Sequence, residues 1–267
     1  LVARTFLSAD DEAIYSEHAF AVYPLVVKSV GAIGREIPAR NYQHDLDSFR
    51  DAITKKTKVI FIANPNNPTG TLIPKDQIQD FLNNVPSNII VVLDEAYDEY
   101  LDEENKSIAF GWLTTYKNLI ISRSFSKAYG LAGLRVGFGA GCNTLIELMN
   151  RIRQPFNVNF IAQQAAIASL HDEDFIRLSR KINNDGMNQI VLAFDSLGIE
   201  YIPSHGNFVS FKLEDETDAM LYYQHLLKNG IILRPIANYK LPEFLRVSVG
   251  LKEENDQFIK FLSNCKL

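Results

Sequence analysis

The 267-residue sequence lacks most features that mark secreted, membrane-bound or nucleic-acid-binding proteins. Its two cysteines, Cys142 and Cys265, are too few and too far apart for a disulfide framework or a cysteine-based zinc site. The longest apolar runs, such as 59–63 and 89–93, are far shorter than the roughly 18 residues of a membrane span. The net charge is −5 and there is no block of lysine and arginine, which argues against binding to nucleic acid or membrane surfaces. We therefore expect a protein of a reducing compartment, located in the cytoplasm.

The composition is typical of a globular protein with a large core, with 46% hydrophobic and 22% charged residues. In the first half, short apolar runs rich in valine, isoleucine and phenylalanine alternate with helical segments. This pattern predicts an α/β fold with a mainly parallel central sheet and helices on both faces. The predicted strands include 58–63, 89–94, 118–123 and 134–139.

The second half has a different pattern, in which long helices precede three short predicted strands. These strands are 207–212, 231–233 and 244–249. We interpret this part as a smaller C-terminal α+β domain. The predicted domains are therefore 1–154 and 155–267, with the boundary just before the long helices.

Three polar clusters follow predicted strands in the first half, at 64–70, 94–97 and 122–127. Each cluster alone is also typical of a turn, a helix cap or a surface lysine. Ligands of open parallel sheets bind outside the carboxyl ends of the strands. Together the clusters predict an amide, a carboxylate, a phenol, several hydroxyls and an amine on one rim of the sheet.

This set of groups suits an aromatic, phosphorylated ring that accepts electrons, which is the chemistry of pyridoxal phosphate. That cofactor needs a lysine for its Schiff base and a carboxylate that keeps the pyridine nitrogen protonated. It also needs donors to the ring oxygen, hydroxyls and an arginine for the phosphate, and an aromatic face against the ring. The five histidines show no metal-ligand spacing, so we expect no metal site.

Three motifs carry a resemblance to a known family. Asn-Pro-Asn-Asn-Pro-Thr-Gly at 64–70, Asp-Glu-Ala-Tyr at 94–97 and Ser-Phe-Ser-Lys-Ala-Tyr-Gly-Leu-Ala-Gly-Leu-Arg-Val-Gly at 124–137, in this order, resemble the fold-type I pyridoxal-phosphate-dependent aminotransferases. The lysine motif, together with 231–234 and 245–250, is most similar to histidinol-phosphate aminotransferases. The resemblance covers essentially the whole chain and implies the fold-type I architecture for it.

The resemblance also implies roles for individual residues. Lys127 matches the Schiff-base lysine, Asp94 the partner of the pyridinium nitrogen, and Tyr97 a donor to the ring oxygen; these three are the predicted catalytic residues. The further cofactor-binding positions are Asn67 as a second donor, Phe20 (with Tyr23 as its alternative) as the stacking aromatic, and Ser124, Ser126 and Arg135 around the phosphate.

Two arginines and one asparagine are the predicted substrate-binding residues. Arg246 matches the arginine that holds the acidic end of the substrate. In the histidinol-phosphate branch, Arg234 joins it on the substrate phosphate, and Asn207 is expected near the substrate. A guanidinium can bind a carboxylate or a phosphate through two parallel hydrogen bonds, which a lysine cannot do.

The function that the resemblance implies is transamination between L-histidinol phosphate or imidazole-acetol phosphate and glutamate or 2-oxoglutarate, in histidine biosynthesis. It also implies small-molecule substrates and a homodimer. An aromatic-amino-acid aminotransferase and a threonine-phosphate decarboxylase remain alternatives on the same fold. A nicotinamide dehydrogenase fits the α/β pattern but lacks the glycine-rich fingerprint.

The sequence departs from the family at its beginning. The family has an upstream arm, a phosphate-binding loop and a tyrosine lent to the neighbouring subunit, none of which precedes residue 1 here. Residues 1–7 are predicted to form the helix that follows that loop. We expect the sequence to be truncated and its parent protein to be complete. The alternative is a truncated, non-catalytic protein that binds pyridoxal phosphate.

Overall fold

The computed structural model describes residues 1–265, so the last two residues of the predicted second domain lie outside the described part. A six-stranded sheet occupies the first half of the chain. Its strands are β1 (Glu12–Ser16), β2 (Ile33–Ile37), β3 (Thr57–Ala63), β4 (Ile90–Asp94), β5 (Leu119–Ser124) and β6 (Gly137–Gly141). The order is β2-β1-β3-β4-β5-β6, and only β6 runs antiparallel to its neighbour. The predicted mainly parallel sheet is confirmed.

Helices cover both faces of this large sheet. They are α1 (Val2–Phe6), α2 (Val22–Ser29), α3 (Leu46–Asp51), α4 (Lys75–Asn84), α5 (Ala109–Trp112) and α6 (Asn143–Ile152). Alternate residues of β3 enter different cores: Ile60 packs with Phe49 on one face, and Phe61 packs with Tyr23 on the other. A strand buried on both faces needs apolar residues at every position, which explains the unbroken apolar run.

A second sheet of four antiparallel strands lies in the other half of the chain. Its strands are β7 (Tyr201–Ile202), β8 (Phe208–Lys212), β9 (Arg234–Pro235) and β10 (Phe244–Ser248), in the order β7-β8-β10-β9. The helices of this half are α7 (Phe160–Leu170), α8 (Glu173–Leu197), α9 (Glu216–Lys228) and α10 (Lys252–Ser263).

Side chains of β10 alternate between the two faces of this small sheet. Leu245 and Val247 are buried in the core formed with the helices, beside Phe194. Arg246 lies on the opposite face because successive strand residues point to opposite sides. That face is turned toward the loop after β3, where Arg246 contacts Asn67. The alternation therefore places one arginine between the two sheets.

Two strand predictions were wrong. The strand predicted at 231–233 is instead the two-residue β9, which pairs with Leu245 and Arg246. Pro235 has no N–H to donate, so it cannot support a long ladder at this edge. The strand predicted at 134–139 begins three residues later, because Arg135 has a positive φ of 55° and turns the chain before β6.

The chain passes from α6 to α7 through a loop that contains residues 154 and 155. The domain boundary there stays a prediction. In residues 1–265, no helix has both the length and the apolar character needed to cross a membrane.

Candidate active site

A cavity of about 380 Å³ opens at the carboxyl ends of β3, β4 and β5. These three strands are neighbours in the sheet, so the polar clusters that follow them lie side by side. All the residues predicted to bind the cofactor line this cavity: Phe20, Asn67, Asp94, Tyr97, Ser124, Ser126, Lys127 and Arg135. The fold therefore gathers residues that are up to 115 positions apart in sequence, from Phe20 to Arg135.

Asp94 is the carboxylate of the cavity and sits at the last position of β4. Its Oδ2 accepts a hydrogen bond of 2.7 Å from the hydroxyl of Tyr23. Burial raises the pKa of Asp94, whereas the bonds from Tyr23 and Ser122 act in the opposite direction. The Tyr23 ring is stacked on Phe61 with centroids 4.9 Å apart, which fixes the phenol that holds the carboxylate. Asp94 is thus a preorganised partner for a positively charged group.

Lys127 supplies the amine of the cavity. Its Nζ lies 5.2 Å from the centre of the Tyr97 ring. Burial lowers the pKa of Lys127, the positive charges of Arg246 and Arg135 lower it further, and Asp94 opposes them. A lowered pKa increases the fraction of neutral amine, which is the form that acts as nucleophile and takes up a proton.

Hydroxyls and a guanidinium form an anion-binding corner next to Lys127. The backbone N–H of Ser126 donates to Ser124 Oγ at 3.0 Å. Arg135 has a left-handed backbone conformation and donates from Nη1 to the carbonyl of Ala132 at 2.7 Å. This turn brings the arginine back to the cavity that contains the two serines. Hydroxyls together with a guanidinium are suited to a phosphate group.

Arg246 reaches the site from the small sheet. It donates from Nη1 to Asn67 Oδ1, and its guanidinium carbon lies 4.9 Å from the centre of the Phe208 ring. Burial lowers the pKa of Arg246. Its Nε is buried and has no hydrogen-bond partner among residues 1–265. This donor is therefore available to an acidic group that enters between the sheets.

The other two predicted substrate residues, Arg234 and Asn207, lie in different parts of the structure from each other. Arg234 on β9 pairs with Arg246 on β10, and its charge contributes to the lowered pKa of Arg246. The two guanidinium groups therefore belong to one positive region. Asn207 does not line the main cavity but a smaller one of about 190 Å³, with Tyr100 and Ser179. The structure does not bring Asn207 together with the other site residues.

The family model for class I and II aminotransferases matches residues 1–262. The chain belongs to the class I and II aminotransferase family. Two of its similar relatives are histidinol-phosphate aminotransferase 2 of Nitrosospira multiformis and histidinol-phosphate aminotransferase of Methylobacillus flagellatus. They are 54% and 55% identical to the chain over 98% of its length, and the matches cover 67% and 70% of the two relatives.

Solved structures of this family have the same fold. One is described as a putative histidinol-phosphate aminotransferase from Erwinia carotovora atroseptica, with a TM-score of 0.90, 28% identity and coverage of 98% of this chain and 76% of that one. Another is histidinol-phosphate aminotransferase from Sinorhizobium meliloti in complex with pyridoxal-5'-phosphate, with a TM-score of 0.90, 25% identity and coverage of 98% and 73%. The fold-type I architecture predicted from the motifs is confirmed.

Sequence reasoning missed two groups that contact Asp94. The sequence indicates Tyr23 only as an alternative to Phe20 for stacking, but its hydroxyl bonds the carboxylate. Ser122 pairs with Asp94 across β4 and β5, and its side chain also bonds the carboxylate. The signal for Ser122 was its position at the end of a strand next to β4. Nothing in the sequence indicates that the Tyr23 hydroxyl reaches Asp94, because the contact spans 71 positions.

Proposed function

We propose that this chain carries out pyridoxal-phosphate-dependent transamination between L-histidinol phosphate or imidazole-acetol phosphate and glutamate or 2-oxoglutarate, in histidine biosynthesis. The observation that carries the proposal is one cavity that holds Lys127 and a buried carboxylate, Asp94, where Arg246 and Arg135 both lower the pKa of the lysine. Relatives 54–55% identical over nearly the whole chain are named histidinol-phosphate aminotransferases, which supports the same substrate.

The residues of the cavity fit pyridoxal phosphate. Asp94 offers a negative charge to the ring nitrogen, and Ser124, Ser126 and Arg135 offer donors to the phosphate. Phe20 lines the same cavity and offers an aromatic face to the ring. When bound, the cofactor supplies an electron sink for the charge that develops at the substrate Cα.

The protein supplies proton transfer and orientation. Lys127, whose pKa is lowered by burial and by Arg246 and Arg135, accepts a proton from the substrate Cα and returns it as an ammonium group. Burial raises the pKa of Tyr97 well above neutrality, so its hydroxyl remains protonated and acts as a donor. With the cofactor bound, Asp94 would stabilise the positive charge of the ring nitrogen.

Substrate selection is assigned to the small sheet. Arg246 and Arg234 lie on paired positions of β10 and β9 and present two guanidinium groups. Two such groups match the charge of a phosphate monoester, and Arg246 alone can bind a single carboxylate of glutamate. The same arginines therefore accommodate both the phosphorylated substrate and the amino donor.

The test is a single-turnover absorbance measurement on protein loaded with pyridoxal phosphate. We expect L-histidinol phosphate to convert the cofactor to its pyridoxamine form at low concentration. L-Histidinol, which lacks the phosphate, should require a concentration about 100-fold higher, since charge-assisted hydrogen bonds contribute about 1.5–3 kcal/mol each.

Other substrates separate the alternatives. A preference for phenylalanine over L-histidinol phosphate would assign the chain to an aromatic-amino-acid aminotransferase. Release of carbon dioxide from threonine phosphate would assign it to a decarboxylase. Bound cofactor without any conversion would support the non-catalytic alternative.

We also propose that the protein is a homodimer in the cytoplasm with small molecules as its other partners. Phe156, Phe160 and Ile161 are 96%, 73% and 70% exposed, and an apolar surface of this kind is typical of an interface. Light scattering on the purified protein tests the mass. A particle of the single-chain mass, 30.2 kDa, would contradict the dimer.

A further inference from the structure

A buried charge cluster adjoins the cavity and has no part in the function proposed above. Arg123 of β5 donates from Nη2 and Nε to Glu95 Oε2 at 2.7 and 3.0 Å. Its Nη1 lies 2.8 Å from Asp98 Oδ2 and 3.2 Å from Glu99 Oε1. The three carboxylate side chains are at most 9% exposed and the arginine is 13% exposed.

The cluster has more negative than positive charge. In residues 1–265, no cation other than Arg123 forms an ion pair with these three carboxylates. Unpaired charge is expensive away from water, so one carboxyl of the cluster retains a proton. Burial raises the pKa of Glu99, and its Oε2 has no hydrogen-bond partner among the same residues. Burial likewise raises the pKa of Glu95, to about 7, so Glu95 and Glu99 are the carboxyls that most readily retain the proton.

Arg123 itself lines the cavity, and two carboxylates of the cluster directly follow cavity residues along the chain. Glu95 follows Asp94, Asp98 follows Tyr97, and Arg123 stands between Ser122 and Ser124. Asp94 and Ser122 meet on the cavity side, where their side chains bond each other. Glu95 and Arg123 meet next to them, so one ion pair joins the ends of β4 and β5 directly beside the site.

The segment from 95 to 100 has little regular structure of its own to hold it. It contains one short 3₁₀ helix, Asp98–Tyr100, and the Glu95 N–H bonds the Ser122 carbonyl at 2.9 Å. Side chains supply further anchors, since Glu95 accepts from the Ser107 hydroxyl and Asp98 accepts from the Ser107 N–H at 2.8 Å. The guanidinium of Arg123 connects all three carboxylates of this segment to β5.

We propose that Arg123, through Glu95, Asp98 and Glu99, is a positioning residue that sets the placement of Asp94 and Tyr97 in the cavity. The inference rests on the proposed function, because it assumes that Asp94 and Tyr97 contact bound pyridoxal phosphate. Arg123 also borders the cavity, but its guanidinium is paired with the three carboxylates and acts on the site through them.

The test compares Glu95→Gln and Arg123→Lys with a matched control. Glu95→Gln keeps the shape of the side chain but removes its charge, and Arg123→Lys keeps the charge but removes the planar fork. The control is Glu103→Gln on the following turn. This change removes a carboxylate that lies 3.1 Å from Arg180, and the Glu103 side chain is 78% exposed. Each protein is loaded with pyridoxal phosphate.

Two measurements report on the site without turnover. They are the pH titration of the visible cofactor absorbance and the dissociation constant of the cofactor. We expect both cluster variants to move the titration midpoint by at least about half a pH unit and to weaken cofactor binding about 10-fold, because small misplacements of site groups are costly. The Glu103→Gln variant should match the wild type in both measurements.

The proposal would be overturned if the cluster variants fold, titrate and bind the cofactor like the wild type, and differ only in a lower melting temperature. That result would assign the cluster a packing role. If Glu95→Gln does not fold, Asp98→Asn carries the same test, since it leaves the Arg123–Glu95 contact in place. If the wild type binds the cofactor but does not convert L-histidinol phosphate, the proposed substrate is wrong, and the positioning role of Arg123 is still tested by the two measurements. A wild type that binds no pyridoxal phosphate contradicts both proposals.

Discussion

The two sheets contribute to the cavity in different ways. The large sheet contributes the ends of parallel strands, where Asp94 and the segment that carries Lys127 lie side by side. The small sheet contributes the face of an antiparallel strand, from which Arg246 projects. The difference matches the proposed division of tasks, in which the large sheet carries the residues assigned to the cofactor and the small sheet carries those assigned to the substrate.

The two sheets are joined at the loop that follows β3. Ser210 on β8 donates from Oγ to the Pro68 carbonyl at 2.7 Å, and the His205 N–H donates to the Gly70 carbonyl at 2.8 Å. Arg246 bonds Asn67 of the same loop. Arg246, the arginine assigned to the substrate, therefore contacts the predicted cofactor site through this loop of the large sheet.

The largest expected effect is on kcat and comes from Lys127→Ala, in the segment that follows the large sheet's β5. Loss of the amine removes both the covalent attachment and the proton carrier, so kcat with L-histidinol phosphate should fall by at least about 10⁴-fold. Lys181→Ala, on the exposed surface of α8, is the control and should leave kcat unchanged. Comparable kcat values for the two variants would falsify the role of Lys127.

Acid should weaken the large sheet through His44. Its Nε2 lies 3.0 Å from the Ala63 carbonyl oxygen at the end of β3, and burial lowers its pKa to about 4 from 6.5. Between these values the unfolded chain binds more protons than the native one, so stability falls as the pH falls from about 6.5 to about 4. The loss from this one group is about 3 kcal/mol.

The measurement for His44 is urea denaturation of the wild type and His44→Gln at several pH values from 4 to 7. The carboxylates contribute equally to both proteins, so the difference in slope isolates the histidine. The variant should lose about 3 kcal/mol less than the wild type over this window. Parallel losses in the two proteins would show that His44 does not titrate in this range.

In the small sheet, Arg246→Lys should act on substrate binding rather than on the cofactor. The lysine keeps the charge but cannot form two parallel bonds, so KM for L-histidinol phosphate and for glutamate should rise about 10–100-fold. The cofactor dissociation constant should change by less than about 3-fold. A variant that loses cofactor affinity instead would contradict the division of tasks between the sheets.

The smallest effect is expected from Gly70→Ala, which disturbs the junction of the sheets. Gly70 has φ of +76°, and a Cβ there would come within 2.8 Å of the Ser204 backbone. The strain should cost about 1–3 kcal/mol and displace the loop that holds Asn67. Gly133→Ala is the control, since a Cβ there meets nothing within 4 Å. Equal KM values of the two variants for L-histidinol phosphate would mean that displacement of the Gly70 loop does not affect substrate binding.

The comparison of the sheets also explains which features the sequence predicted. The residues predicted to bind the cofactor belong to short contiguous motifs, and the parallel order of β3, β4 and β5 brings those motifs to one edge. The strand prediction at 231–233 was wrong because backbone pairing with β10, rather than apolar character, decides where β9 forms. Asn207 was expected near the substrate, but its position depends on how β8 packs against α8 and the turn at Tyr100.

The sequence by itself determined the fold class, the family resemblance and the cofactor chemistry, since apolar periodicity and contiguous polar motifs are local properties of the chain. Only the tertiary structure showed the bond from Tyr23 to Asp94, the Arg246 Nε that has no partner within residues 1–265, and the ion cluster around Arg123. Each of these depends on side chains from different strands or loops meeting in space. Their contacts, burial and pKa values follow from packing, which no local pattern of residues specifies.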